Sequence, residues 1–169
     1  MNRDFLAGLF AGAFLFLLLA FLFLPAYSVS VVSSPGAEDE ILSLIDSARH
    51  SIYIDMYILT SEKVVDSLVS AHYRGVDVKV ILEERTGANY LAFSRLEGAG
   101  ASVCWASDAY KLSHPKLIIV DSQAALVGSH NLSNSALNSN REISLLVQGN
   151  VVSALISLFD SDWAACAFP

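Results

Sequence analysis

From Glu38 onward the apolar positions of the chain recur with two periods in alternation. EDEILSLIDSARH sets Ile41, Leu42, Leu44, Ile45 and Ala48 along one helical face, with three acids in the first turn, where the helix dipole favours negative charge. SIYIDMYIL then changes to a β-branched and aromatic run, which reads as a strand. SEKVVDSLVSAHYRG returns to the helical period and closes at Gly75, VDVKVILEE is a second strand, ANYLAFSRLEGAG a third helix ending at glycine, and ASVCWA a third strand. This order predicts an α/β domain built on a largely parallel mixed sheet with helices on both faces. In such sheets ligands collect at the carboxyl ends of the strands.

The alternation stops at HPKLIIVDSQAALVGSHN, where LIIV and AALV are separated only by Asp121, Ser122 and Gln123. So short a connection makes a hairpin. With Val120 beside Ala124, Lys116 falls opposite Gly128 and His114 opposite His130, within a residue or two. Ser129 and Asn131 then return next to His114 and Lys116, which share a strand face because side chains alternate with period two. The hairpin therefore gathers an imidazole, an ammonium, a hydroxyl and an amide at one end of the sheet. Such a set suits a phosphoryl group: Lys and Asn hold non-bridging oxygens while the imidazole attacks phosphorus or transfers a proton. It does not suit zinc, which needs a further His, Cys or carboxylate at ligand spacing.

Ahead of this domain, Phe5 to Leu24 is one uncharged apolar run without proline. As a helix at about 1.5 Å per residue it spans a hydrocarbon core of roughly 30 Å. The expected organisation is an N-terminal transmembrane helix or uncleaved signal over residues 1–24, a tether over 25–37, and a catalytic domain over 38–169. Arg3 and the amino terminus lie on one side of the run and the next basic residue is Arg49, so the positive-inside bias places the domain outside the cytoplasm. Cleavage at Ala26 to Ser28 would release it as a secreted form.

The net charge of -7 resides in the domain, since Arg3 and Asp4 cancel. That balance opposes broad capture of nucleic acid, whose affinity comes mainly from Lys and Arg meeting phosphates, but leaves room for a local basic cleft. Cys104 and Cys166 lack metal-ligand spacing and read as buried small hydrophobes, with pairing open to them outside the cytoplasm.

Six positions, His114, Lys116, Asp121, Gly128, Ser129 and Asn131, fit the pattern HxKxxxxDxxxxxxGSxN, a chance match on the order of one in a million at average residue usage. In them the chain resembles the phospholipase D superfamily. The resemblance implies that His114 is a nucleophile forming a phosphohistidine. It implies that Lys116 and Asn131 bind phosphate oxygens, that Ser129 hydrogen-bonds in the same site, and that Asp121 and Gly128 are structural. Glu142, in NREISLLV, stands where the family carries an acid accepting from the second imidazole nitrogen. No metal or cofactor is implied, because lysine and the polar donors supply the charge stabilisation. Two such histidines complete a site in this family and the chain carries one copy of the motif, which implies a homodimer with a shared site.

By this resemblance the expected activity is hydrolysis of phospholipid phosphodiester bonds, with the membrane segment favouring lipid. A metal-independent endonuclease is the alternative within the family, and a non-catalytic phosphate-binding scaffold dimer the alternative outside it. Of the remaining polar residues, Glu83, Glu84 and Arg85 end the second strand and are candidates for specificity. His130 occupies the variable position of GSxN and is expected to tune the site. Tyr53, Asp55 and Tyr57 read as packing on the first strand, and His50 and His72 as surface or satisfied core histidines. The glycines around Gly98 read as a turn, and the Asn131-Leu-Ser133 sequon as unused.

Overall fold

The computed structural model describes residues 27–167, together with Ala13, Phe14 and Phe16. The apolar run from Phe5 to Leu24 otherwise lies outside the described residues, among which no helix is long and apolar enough to cross a membrane. Seven strands form one sheet in the order β1-β7-β6-β5-β2-β3-β4. They are β1 Ser28–Ser33, β2 Ser51–Met56, β3 Asp77–Leu82, β4 Ser102–Trp105, β5 Lys116–Val120, β6 Ala124–Gly128 and β7 Ile143–Gln148. The helices are α1 Glu38–Asp46, α2 Glu62–Tyr73, α3 Tyr90–Gly98, the short α4 Asn134–Asn138, and α5 Val151–Ala165.

Helices cover both faces. Ile52, Ile54, Val78, Val80, Ile118 and Val120 point to one side of the sheet, against Ile41, Ile45, Leu68 and Leu96 of α1, α2 and α3. The alternate positions Ile81, Leu117, Ile119, Ala125 and Val147 point to the other, where Val152 and Phe159 of α5 pack on them. This is the period of two on strands meeting the period of 3.6 on helices.

Two expectations need correction. The sheet is mixed, but it is not largely parallel: only β2 with β3 and β3 with β4 pair in parallel, while β5, β6, β7 and β1 pair antiparallel with their neighbours. The helical crossovers that parallel pairing requires serve only β2, β3 and β4, and the β5–β6 hairpin turns the chain back. Residues 25–37 are also not simply a tether, because β1 runs through them as an edge strand hydrogen-bonded to β7, with Val31 opposite Leu145. The folded unit therefore includes Ser28–Ser33, ahead of the expected boundary at Glu38. β1 finds its partner more than a hundred residues downstream, so no local period announces it.

The two cysteines form a disulfide, Cys104–Cys166, and are not free buried thiols. Trp105 and Ala167 exchange backbone hydrogen bonds of 2.9 Å, so the chain after α5 runs beside β4 and leaves the two cysteine Cα atoms 6.0 Å apart. That lies within the range a disulfide requires.

Candidate active site

The hairpin forms in the anticipated register, with Val120 opposite Ala124 and Leu117 opposite Val127. Asp121 and Ser122 both take positive φ, 53° and 56°, and Gln123 N donates to Val120 O at 3.0 Å, which closes the three-residue connection tightly. Asp121 holds this turn against the start of β2: its carboxylate accepts from the backbone N–H groups of Arg49, His50 and Ser51 at 2.7 to 3.2 Å. Burial alone would raise that carboxyl's pKa. The three N–H donors outweigh it and leave the group below the usual carboxylate range. Asp121 thus sits at the far end of the hairpin from His114, in a structural position.

At the near end, His114, Lys116, Gly128, Ser129, Asn131 and Glu142 line one cavity. Lys116 is buried, its Nζ lying 2.9 Å from both ring nitrogens of His114 and donating to His114 O at 3.0 Å. Burial lowers the lysine's pKa, opposed by the charge of Glu142. Burial and the lysine charge likewise lower that of His114, which favours a neutral imidazole with a lone pair available. The Tyr57 ring supports both groups, 4.3 Å from the imidazole centroid and 4.8 Å from Lys116 Nζ. Tyr57 therefore belongs to the site rather than to simple packing.

Gly128 answers a close approach of strands. A Cβ there would lie 2.4 Å from Ser144 Cα and 2.6 Å from Ile143 O, so any side chain would force β6 and β7 apart beneath the cavity. Ser129 locks the same junction: its N–H donates to Ile143 O, its Oγ accepts from Ile143 N, and its hydroxyl donates to Glu142 Oε2 at 2.6 Å.

Glu142 lies in the cavity but does not contact the imidazole. Its carboxylate accepts from Ser129 Oγ and from Asn140 Nδ2, which hold it below the usual pKa. The hydrogen bond to His114 expected for this acid is not made in the single chain, where the hydroxyl of Ser129 takes the carboxylate instead. Asn131 presents a buried Oδ1 with no hydrogen-bond partner. His130 is buried away from the cavity, its Nδ1 2.7 Å from Ser144 Oγ, so it supports the β6–β7 junction.

Several contributors were not legible in the sequence. Ser34, just after β1, is buried, accepts from Glu142 N at 3.2 Å and donates to Asn140 O at 3.0 Å. Of the residues ending β3, Glu83 and Arg85 form a bidentate pair, with Arg85 Nε and Nη2 donating to the two carboxylate oxygens. Arg85 also donates to Tyr110 O and Lys111 O, and Glu83 accepts from Ser113 N. These contacts fix the loop leading into His114. Glu84 only accepts from the Tyr90 hydroxyl at 3.0 Å. Asp55, read as packing, reaches a cavity beside His114. Among the described residues no group of three or more His, Cys, Asp or Glu is placed to hold a metal.

Residues 41–163 match the family model described as cardiolipin synthase, PLD-like domain, and so span nearly all of the sheet and both helical layers. The chain belongs to the phospholipase D superfamily. Within it, cardiolipin synthase A of Pectobacterium carotovorum is 28% identical over 147 residues, covering 80% of this chain and 30% of that protein. Cardiolipin synthase A of Proteus mirabilis matches to the same extent. The chain thus spans about a third of the length of these curated relatives. The crystal structure of Nuc from Salmonella typhimurium, a phospholipase D family member, superposes with a TM-score of 0.79 at 30% identity, covering 84% of this chain and 97% of that one. NucT from Helicobacter pylori shares the fold, with a TM-score of 0.75 at 22% identity over 84% and 99% of the two chains.

Proposed function

We propose that the chain is a phosphodiesterase that cleaves phospholipids through a phosphohistidine on His114. The observation that carries this reading is the single cavity shared by His114, Lys116, Ser129, Asn131 and Glu142. In this reading the His114 imidazole attacks phosphorus, the ester oxygen departs with a proton, and water releases the phosphoryl group from the ring nitrogen. Lys116 and Asn131 hold the non-bridging oxygens, the Asn131 amide turning its N–H toward them. Glu142 stabilises the imidazolium as charge develops.

A second histidine must protonate the leaving oxygen, and a second copy of the chain supplies it. On the α5 side of the sheet, Val29 and Val31 of β1 and Ile143 and Leu145 of β7 stay exposed, as does Leu158 of α5, at 62%. An apolar face of this kind at the margin of a half-site is what a two-fold partner would cover. The protein is expected to sediment as a dimer. Full turnover by a species shown to be monomeric would remove the shared site.

Phospholipid as substrate is supported by the apolar run that precedes the domain and by the net charge of -7. The disulfide supports placing the domain outside the cytoplasm, where thiols stay oxidised. Nucleic acid is the second reading, favoured by one observation: the chain matches Nuc over 97% of that chain but only 30% of a cardiolipin synthase.

The deciding measurement is a parallel assay of the full chain in detergent, with labelled phospholipid in mixed micelles and single-stranded DNA, each with and without excess EDTA. Phospholipid cleavage that survives the chelator is expected. Cleavage of DNA alone would move the assignment to the nuclease, and loss of activity restored by a divalent ion would refute the histidine mechanism.

A further inference from the structure

His114 stands on a poorly supported part of the chain. The stretch from Ser107 to Ser113 lies in no strand or helix, and β5 begins only at Lys116. The imidazole is exposed and meets Lys116 Nζ and the Tyr57 ring, while the Glu142 carboxylate is taken by Ser129. A residue in such a stretch is held less firmly than one on a strand, and attack in line with a bond to phosphorus tolerates little misplacement. The stretch therefore needs support from outside itself.

That support comes from the end of β3. Glu83 follows directly on Leu82, and its side chain is only 1% exposed, whereas Glu84 and Arg85 face solvent. Ser113, the residue before His114, donates its N–H to Glu83 Oε2 at 2.7 Å. The same carboxylate receives Arg85 Nε at 2.6 Å, Arg85 Nη2 at 2.9 Å and the Arg85 backbone N–H at 2.9 Å. The remaining arm of the guanidinium, Nη1, crosses to Tyr110 O at 2.6 Å and Lys111 O at 2.8 Å. Both poles of the ion pair thus grip the same stretch, the carboxylate by an N–H and the guanidinium by two carbonyls. Burial would raise the Glu83 pKa, but the donors from Arg85 and Ser113 outweigh it and keep the carboxylate charged.

The base of this clamp is itself well fixed. β3 has parallel partners on both sides, β2 and β4. Asn89, at the N-terminus of α3, makes no side-chain cap to its own helix. Its buried amide donates instead to Glu83 O at 2.8 Å and Tyr57 O at 2.9 Å, and accepts from Leu59 N at 2.8 Å. Tyr57 N in turn donates to Pro115 O at 3.1 Å. The peptide before His114, the peptide after it and the ring beside it all trace back to the end of β3.

We infer that Arg85 and Glu83 are positioning residues, which through residues 110–113 hold the His114 imidazole in line for attack on phosphorus without touching substrate. The planar fork of arginine suits the task, since one group must serve a carboxylate and two carbonyls at once, and the compact ammonium of lysine does not match that geometry. The inference rests on the phosphodiesterase reading and adds to it a signature. Loss of the clamp should slow the reaction step and spare binding, because Lys116 is fixed independently by its pairing with Met56 of β2.

Steady-state cleavage of bis-p-nitrophenyl phosphate by the full chain in detergent, with inorganic phosphate as competitive inhibitor, reads that signature. Arg85→Gln is expected to lower kcat about 100-fold, the scale of a misplacement of roughly 1 Å, with KM and the inhibition constant little changed. Arg85→Lys restores the charge beside Glu83, so it should recover Tm but not kcat, and it carries the reading if Arg85→Gln does not fold. Hydrogen exchange followed by mass spectrometry should quicken over residues 107–113 and not over the β5–β6 hairpin.

Recovery of kcat together with Tm in Arg85→Lys would reduce the pair to charge balance and overturn the inference. So would unchanged exchange over residues 107–113, or a rise in KM and in the inhibition constant that accounts for the whole loss. The two levels of the argument separate at the wild type. If it cleaves the diester and the variants cleave equally well, the phosphodiesterase stands and the positioning role falls; if it cleaves no diester, both fall.

Discussion

His114→Asn is expected to leave no measurable turnover and no phosphorylated protein. The imidazole is the nucleophile proposed for the cavity it shares with Lys116, Ser129, Asn131 and Glu142, and asparagine keeps a polar, hydrogen-bonding tip without a lone pair able to attack phosphorus. Lys116 and Asn131 remain, so a phosphodiester should still bind. Glu142→Gln makes the informative contrast. It keeps the size and the Ser129 hydrogen bond but removes the charge, and loss of such assistance costs about 10²-fold to 10⁴-fold, which leaves residual activity. The check is rapid quench with phosphorus-labelled substrate under conditions that preserve phosphohistidine, followed by peptide mapping. Label on another residue, or an undiminished rate in His114→Asn, would overturn the nucleophile assignment.

The second large effect is on stability. Reducing Cys104–Cys166 frees a loop of 62 residues in the unfolded chain, for which loop-closure entropy gives about 4 kcal/mol. A loss of that size is a large share of the 5 to 15 kcal/mol that typically separates folded from unfolded states. For a domain of this size it corresponds to a drop in Tm on the order of 10 °C. Thermal unfolding followed by circular dichroism, with and without reductant and with thiols counted in the same samples, measures it. An unchanged Tm with both thiols free would show that the bridge contributes nothing. The effect should extend to the cavity wall, since Cys166 immediately follows α5 and α5 carries Leu155, Leu158 and Phe159.

What could be read in advance was whatever depends on neighbours in sequence. The helix periods of α1, α2 and α3, the β5–β6 register and the convergence of His114, Lys116, Ser129 and Asn131 all follow from spacing within a short stretch. What could not be read depends on pairing at long range. SVSVVS alternates like a strand, but only β7 makes it one. Asp55 sits in a strand whose alternation suits packing, and its place in a cavity wall beside His114 appears only when α5 closes over the sheet. Cys104 and Cys166 carry no spacing signal, because what brings them together is the meeting of β4 with the end of the chain. Glu142 was placed correctly in the cavity by pattern, yet its partner, Ser129, is set by the tight β6–β7 contact that Gly128 permits.

The link from Ser34 to Glu142 couples two ends of the architecture. Ser34 follows directly on β1, and it accepts from the backbone N–H of Glu142 while Ser34 N donates to Glu142 O at 3.1 Å. β1 with Ser34 is therefore a structural strut under the acid rather than part of a loose tether. A displacement of β1 along the sheet edge would reach the backbone of Glu142 through these two hydrogen bonds.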